Sequence, residues 1–219
     1  MRLILVLIVL TAVPVFGQNH YIGLRSGVSL SNVISEDLFN DRDFRTGFIG
    51  GLTYEYKFEN KFSISIDLVY AQKGFSEDAI FNDETGSIID LTHSTNFNYD
   101  YLSIPIKGGF SIGNNFQGFL NLGILPSMLV NAKTITSSIG SYGALNQDIA
   151  EYVDKFDLGG LLEIGGSYKF KERFLLFSSL TYQQSFTSIT NDNYFSDWSI
   201  KHNGMTLSVG LKYALTAGV

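Results

Sequence analysis

Apolar and polar residues alternate strictly along the segment KFSISIDLVYAQKGF, which covers residues 61–75. Phe62, Ile64 and Ile66 take every second place, and serine or aspartate fills the places between them. A period of two is typical of a β-strand with one apolar and one polar face. The pattern recurs in eight runs, at residues 21–30, 44–58, 62–75, 99–112, 116–130, 156–170, 174–186 and 205–215. The sequence therefore predicts an all-β chain.

The lengths of these runs and of their connections indicate a membrane barrel. Each run reaches the roughly 9 to 11 residues that a tilted strand needs to cross a hydrocarbon layer, whereas strands of globular proteins usually have about 5 or 6. Alternate connections are short, and the others are long and rich in Asp, Asn, Ser and Thr. The short ones are residues 59–61, 113–115 and 171–173, and the long ones are residues 31–43, 76–98, 131–155 and 187–204. In an up-and-down meander all short turns lie at one end, as in outer-membrane barrels.

The two faces of the predicted strands differ in charge. One face carries Leu, Ile, Val, Phe, Tyr and Met without Asp, Glu, Lys or Arg, and the opposite face carries the charged residues. A soluble sandwich or lipocalin-like barrel would turn the apolar face inward, and a membrane barrel would turn it outward. Aromatic residues of the apolar face gather beside the short turns, where membrane barrels place an interfacial girdle. We therefore predict that the apolar face contacts lipid.

The inward face then carries a network of charges. An eight-stranded barrel has an interior just wide enough for side chains to fill it, and a buried charge needs a partner. We expect a structural network in the lumen in which three cations find partners among three carboxylates, without a pore. Its predicted members are Arg25, Lys73, Lys107, Glu55, Asp67 and Glu163. Arginine at Leu68 or Leu207 should destabilise the barrel more than arginine at Ser65, provided that the lumen has room.

The N-terminal segment predicts export. Arg2 precedes an unbroken apolar run at residues 3–10, and Gly17 precedes Gln18. This pattern is typical of a signal peptide that is cleaved after residue 17. We expect residues 1–17 to be removed and residues 18–219 to form one outer-membrane β-barrel domain.

Composition narrows the possible chemistry. The net charge is -6, which does not favour a nucleic-acid partner. The chain has no cysteine and 3 histidines, and it lacks H-E-x-x-H and G-x-S-x-G patterns. We predict no cofactor, no metal and no catalysis. A weak enzyme alternative remains, because His93 and His202 fall in predicted loops near Asp90 and Asp197.

The segment YDYLSIPIKGGFSIG from Tyr99 carries a family resemblance. Its Tyr101, Leu102, Ile104 and Pro105 match the Tyr-Leu-x-Ile-Pro pattern in the fourth strand of the small outer-membrane barrels of Bacteroidetes, which are called PorT-like. The sequence resembles this family in outline over nearly the whole mature chain. The resemblance implies an eight-stranded antiparallel barrel and carries no catalytic residues. We expect Pro105 to cause a local break in its strand, because proline removes a ladder donor.

These observations lead to a prediction of function with open alternatives. We expect an integral outer-membrane protein that acts through long extracellular loops, by adhesion, partner binding or a structural role in the envelope. Its expected partners are outer-membrane lipid, lipopolysaccharide, the barrel assembly machinery and a protein at the loops. The alternatives are an accessory component of type IX secretion, which the resemblance implies, and a soluble periplasmic lipocalin-like carrier.

Apolar residues at i, i+4 spacing also predict a short helix in the third long loop, through Leu145, Ile149 and Val153.

Overall fold

The computed structural model describes residues 19–35, 42–58, 61–82, 88–137, 144–194 and 199–215. The predicted signal peptide lies outside these residues. Within them the secondary structure is β-sheet with one short 3-10 helix, Ala150–Tyr152. The strands are β1 Asn19–Ser35, β2 Arg42–Phe58, β3 Phe62–Asn82, β4 Ile88–Ser103, β5 Ile106–Gly113, β6 Phe116–Thr136, β7 Leu145–Asp148, β8 Phe156–Phe170, β9 Phe174–Ser185 and β10 Ile200–Ala214.

The strands form a closed ring. Each long strand pairs antiparallel with its neighbours in sequence, and β10 pairs with β1 from Tyr21↔Ala214 to Ser35↔Ile200. β4 and β5 together occupy one position between β3 and β6. The described residues therefore build an eight-stranded up-and-down barrel, as the sequence predicted. The turns β2–β3, β5–β6 and β8–β9 define its short-turn end, and the opposite end is called the loop end.

Pro105 separates β4 from β5. Pairing of β3 with β4 ends at Val69↔Ser103, and pairing with β5 begins at Ile66↔Ile106, because proline has no N–H to give to the ladder. Two hydrogen bonds still tie the break to its neighbours. The Asp67 N–H donates to the Pro105 carbonyl at 3.0 Å, and the Ile104 N–H donates to the Pro126 carbonyl at 2.9 Å. The wall is locally irregular here but remains connected.

The apolar face of the wall points outward. Leu24 is 62% exposed and Leu207 is 54% exposed, whereas Asp67 is 1% exposed and Glu163 is 3% exposed. A soluble barrel of this composition would show the reverse, with carboxylates in water and leucines in the core. The lipocalin-like alternative is therefore wrong, because the large apolar side chains surround the barrel instead of filling it.

Aromatic rings collect at the short-turn end of the outer face. Phe62 lies 5.5 Å from Phe110, and Phe174 lies 5.2 Å from Tyr213, measured between ring centroids. The Arg173 guanidinium donates a hydrogen bond of 3.0 Å to the Tyr213 hydroxyl. A band of rings with polar tips beside short turns is the arrangement that membrane barrels have at the lipid–water interface.

Several strands continue beyond the predicted runs at the loop end. β3 extends to Asn82 and β4 begins at Ile88, so the predicted connection at residues 76–98 consists largely of hairpin arms. β6 extends to Thr136. The apolar alternation marks the part of each strand that faces hydrocarbon, whereas the backbone ladder continues where both faces are polar. For this reason the sequence underestimated the strand lengths mainly at the loop end.

The helix predicted through Leu145, Ile149 and Val153 is reduced to the 3-10 turn Ala150–Tyr152, and the prediction was wrong for residues 145–148. Leu145–Asp148 forms the short strand β7, which pairs with β6 from Lys133↔Asp148 to Thr136↔Leu145. A single 3-10 turn follows it. The apolar residues that suggested a helix have another role, since Ile149 and Val153 pack into the barrel mouth.

Gly74 in β3 lies where the backbone of the neighbouring strand β4 approaches too closely for a side chain. Its φ is +151°, and a Cβ atom there would collide with the Phe97 carbonyl oxygen. We expect Gly74→Ala to lower the free energy of unfolding by about 1–3 kcal/mol, because strain of this kind costs that much. Urea titration of the protein in lipid bilayers measures the change. Gly108→Ala is the matched control, since its Cβ would meet nothing within 4 Å; equal effects of the two substitutions would contradict the prediction.

Candidate functional site

Four of the predicted lumen residues meet at the centre of the barrel. Arg25 from β1 donates to Asp67 at 2.6 Å and to Glu163 at 2.8 Å. Lys107 from β5 donates to Asp67 at 2.8 Å and to Glu163 at 3.2 Å. Each cation thus contacts both carboxylates, and the four charges sum to zero. We call Arg25, Asp67, Lys107 and Glu163 the central cluster.

Neutral side chains complete the central cluster. Thr53 donates to Asp67 at 2.6 Å, and Asn121 donates to Glu163 at 2.6 Å. Ser179 and Thr181 add hydrogen bonds to Glu163 at 3.3 Å and 3.2 Å. Buried ion pairs are stable only when their remaining hydrogen-bonding capacity is filled. The sequence analysis missed these residues, although they lie on the same strand face as the charges that they support.

Glu55 lies in a different group, nearer the short-turn end. Its carboxylate pairs with Lys212 and lies 3.6 Å from the Lys57 ammonium. Lys57 also donates to the Gln117 side-chain carbonyl at 2.8 Å. Glu55 was expected to be one of three carboxylates that serve the predicted lumen cations, but its nearest cations come from its own strand and from β10.

Lys73 lies in a third group, toward the loop end. Its ammonium is 3.6 Å from Asp157 and 5.1 Å from the centre of the Tyr101 ring. Asp157 also accepts hydrogen bonds from Ser185 at 2.8 Å and from Thr187 at 2.9 Å. The expectation that Lys73 would find its partner among Glu55, Asp67 and Glu163 was therefore wrong. The sequence analysis did not name Asp157, although it shares the inward parity of Glu163 in the same strand.

An apolar cluster closes the loop end of the interior. Val153 and Ile189, from two long connections, reach into the mouth and are 5% and 2% exposed. A hydrogen bond of 2.8 Å from the Asp154 N–H to the Ile189 carbonyl links these connections. We call this group the mouth cluster. Its buried members are Val33, Phe75, Tyr99, Tyr101, Ala132, Val153, Ile189 and Ile200.

Of the two histidines considered for a catalytic site, the structure describes the surroundings of His202 only. His202 lies in β10 and not in a loop, is 2% exposed, and packs edge-on against Tyr99 and Tyr101 with ring centroids 5.2 Å and 5.5 Å away. His20 lies at the short-turn end and contacts the Tyr54 hydroxyl at 2.8 Å. The side chain of His93 and all of Asp197 lie outside the described residues.

A small cavity separates the central cluster from the groups at the loop end. Its volume is about 50 Å³, and Arg25, Lys107, Glu163 and Gln183 contribute to its lining. A cavity needs about 10–15 Å³ to hold one water, so this cavity holds a few waters at most.

Among the described residues no group of three His, Asp or Glu side chains could bind a metal ion. No helix in the described part of the chain is long and apolar enough to span a membrane.

A closed barrel with an apolar exterior, an aromatic band and ion pairs inside is an integral membrane β-barrel. The family model of the outer membrane protein beta-barrel domain matches residues 16–191. Because the match covers more than half of the chain, the chain belongs to this family. It is a protein of the outer membrane, and its short turns accordingly face the periplasm.

Several solved structures are similar to this chain. Neisserial surface protein A is 11% identical, with 90% of this chain and 97% of that chain covered and a TM-score of 0.48. OprG from Pseudomonas aeruginosa is 14% identical, with coverages of 92% and 97% and a TM-score of 0.48. Ail of Yersinia pestis, solved with the heparin analogue sucrose octasulfate, is 15% identical, with coverages of 88% and 98% and a TM-score of 0.41. A search of curated proteins gives no match.

Proposed function

We propose that this protein acts as a non-catalytic surface protein that binds a partner or mediates adhesion through its extracellular end. The observation that carries the proposal is the filled interior. Charged groups occupy it at three heights, and the mouth cluster covers the loop end. A solute has no wide path through such a barrel, so the chemistry available to a partner lies on the outer surface.

The other proposed partners follow from the location. The outward leucine, isoleucine and phenylalanine side chains are solvated by acyl chains, and the loop end meets lipopolysaccharide of the outer leaflet. Insertion by the barrel assembly machinery is proposed for the same reason. The inward charges serve a structural role in this proposal, as fillers of the bore that hold opposite walls together.

Shortening the β3–β4 hairpin tests the proposal. Asp78 and Ser94 face each other across this hairpin, so Asn-Gly in place of residues 79–93 would close it with a two-residue turn. We expect cells that display this variant to lose attachment to surfaces that cells with the unaltered protein bind. Lys171→Gly is the control at the opposite end, because Lys171 has a φ of +57° in a periplasmic turn that glycine adopts freely. Full attachment by the shortened variant would count against the proposal.

Conductance measurements test the filled interior directly. We expect the purified protein to give no stable ion-conducting steps in planar lipid bilayers, because the central cluster and the mouth cluster obstruct the bore. A general-diffusion porin under the same salt conditions is the positive control. Steps of constant size that persist across preparations would show that the bore opens, and would move the proposed site of action from the surface to the interior.

A narrower assignment rests on the sequence resemblance. Tyr101, Leu102, Ile104 and Pro105 support membership in the PorT-like barrels of Bacteroidetes, which carries with it the alternative of an accessory role in type IX secretion. Deletion of the gene followed by comparison of secreted and surface proteins tests that role. Loss of many secreted proteins together would favour it over adhesion, whereas unchanged secretion would remove it.

A further inference from the structure

Among the described residues, the short strand β7 pairs along one edge only, at the extracellular end of the barrel. The Ile149 N–H donates to the Ala132 carbonyl of β6 at 3.1 Å. In an antiparallel strand the backbone groups of successive residues point to opposite sides, so Gln147 also faces β6, and Asn146 and Asp148 face away from it. β6 is the strand with which β7 pairs among the described residues. Within the described part of the chain, the outward N–H and C=O groups of Asn146 and Asp148 therefore have no backbone partner.

All four side chains of β7 are exposed. On the outer face Asn146 lies opposite Ile135, which is 39% exposed. On the other side of β6, Thr95 to Asn98 of β4 pair with Thr136 to Lys133. Thr95 of β4 in turn pairs with Glu77 of β3. Among the described residues, β7 is therefore the last strand of a loop-end sheet that continues through β6 and β4 to β3.

The surroundings of this edge are acidic. Asp148, Glu151 and Asp154 are exposed, with Lys133 of β6 opposite Asp148 and exposed Lys155 next to Asp154. Asn191 and Asn193 donate to the Glu151 carbonyl at 2.9 Å and 3.3 Å, which places exposed Asp192 beside Glu151. Natural edge strands usually avoid further pairing through lysine, proline or a covering segment. β7 has neither lysine nor proline.

We propose that β7 accepts, as an added antiparallel or parallel strand, an extended segment of a partner protein that carries lysine or arginine at alternate positions. The inference rests on the proposed function, since it names a partner class for the extracellular end. Backbone hydrogen bonds from Asn146 and Asp148 provide affinity in this mode of recognition, and side chains on alternate positions provide specificity. Asp148, Glu151 and Asp192 attract a cationic segment and repel an acidic one.

A direct test uses the complete barrel in lipid nanodiscs and a synthetic octapeptide of alternating lysine and valine. We expect binding that weakens as salt is raised, together with slower hydrogen exchange of the Asn146 and Asp148 amides. The same peptide with methylated backbone nitrogens at alternate residues should bind at least about tenfold more weakly, because it cannot complete the ladder. A peptide of alternating glutamate and valine should not bind.

Substitutions in β7 separate strand addition from simple charge attraction. Asn146→Pro removes an outward N–H and leaves the bonds between β7 and β6 in place, so we expect affinity to fall about tenfold. Asn146→Thr keeps the N–H and should bind like the unaltered protein. Equal affinity of Asn146→Pro, equal binding of the methylated peptide, or no binding of the first peptide would each overturn the proposal. Attachment of cells that display the variant with the shortened β3–β4 hairpin is measured in parallel. This measurement tests the proposed function independently of strand addition at β7.

Discussion

Asp67→Asn is expected to lower the free energy of unfolding by about 3–5 kcal/mol, the range measured when one partner of a buried ion pair is removed. Asp67 is 1% exposed and contacts both Arg25 and Lys107. Asparagine keeps the shape of the side chain but removes its negative charge, so the central cluster is left with two cations and one carboxylate. Water cannot compensate fully, because the neighbouring cavity has a volume of only about 50 Å³. Urea-induced unfolding in phospholipid bilayers measures the loss.

A second substitution identifies the cause of that loss. Lys107→Met combined with Asp67→Asn restores neutrality, since Arg25 and Glu163 remain paired at 2.8 Å. We expect the double variant to regain at least half of the lost stability. Lys169→Met, at an exposed position near the periplasmic end, should change stability by no more than about 0.5 kcal/mol. A loss below about 1 kcal/mol for Asp67→Asn would mean that the central cluster does not hold the barrel together.

Leu68→Arg is expected to cost about 2–4 kcal/mol, as arginine does near the bilayer midplane of a membrane barrel. Leu68 is 44% exposed on the outer face and lies opposite Leu52, in the middle of β2. Phe44, further along β2 toward the loop end, is also exposed. Phe44→Arg should cost about 0–1 kcal/mol, because the penalty falls near the interface. Equal costs at the two depths in bilayers would contradict the assignment of this face to lipid.

The inward position Ser65 now carries a revised expectation. The sequence suggested that arginine would be mild there if the bore had room, but Ser65 is 5% exposed and lies between Glu55 and Lys107 in neighbouring strands. Arginine at this position must displace packed side chains, which typically costs about 1–3 kcal/mol. Ser65→Asn should be milder, because it adds little volume. Urea unfolding of the two variants measures how much of the destabilisation comes from the added volume of arginine. Equal stability of both variants would show that the bore has spare room.

The sequence predicted the barrel because its main determinant is local. Alternation along each strand assigns every side chain to lipid or to the interior, and the alternation of short and long connections orders the strands. Leu68 and Asp67 could therefore be placed on opposite faces without a structure. The aromatic residues of the mouth cluster were missed because Phe75, Tyr99 and Tyr101 lie on the strand face that carries the charged residues and was therefore predicted to be polar.

The choice of ionic partners could not be predicted, because it depends on the stagger between strands. Parity shows that Glu55 and Asp67 both point inward, but only the register of β2 against β3, with Thr53 opposite Asp67, sets their relative heights. Asp67 thereby reaches the level of Arg25, and Glu55 lies nearer the periplasm beside Lys212. The pairing of Lys73 in β3 with Asp157 in β8 likewise depends on the heights at which the two strands place these residues.

The seam between β1 and β10 has a kinetic consequence. Tyr21 and Ala214 are adjacent in the ladder although nearly the whole chain separates them in sequence. Closing so large a loop costs conformational entropy before the hydrogen bonds between β1 and β10 can form. Contacts between residues far apart in sequence also slow folding. Until that last step, the edges of β1 and β10 expose unpaired amides that hydrocarbon cannot solvate. Spontaneous insertion should therefore be slow, and seam closure is the step at which a catalyst of insertion would act.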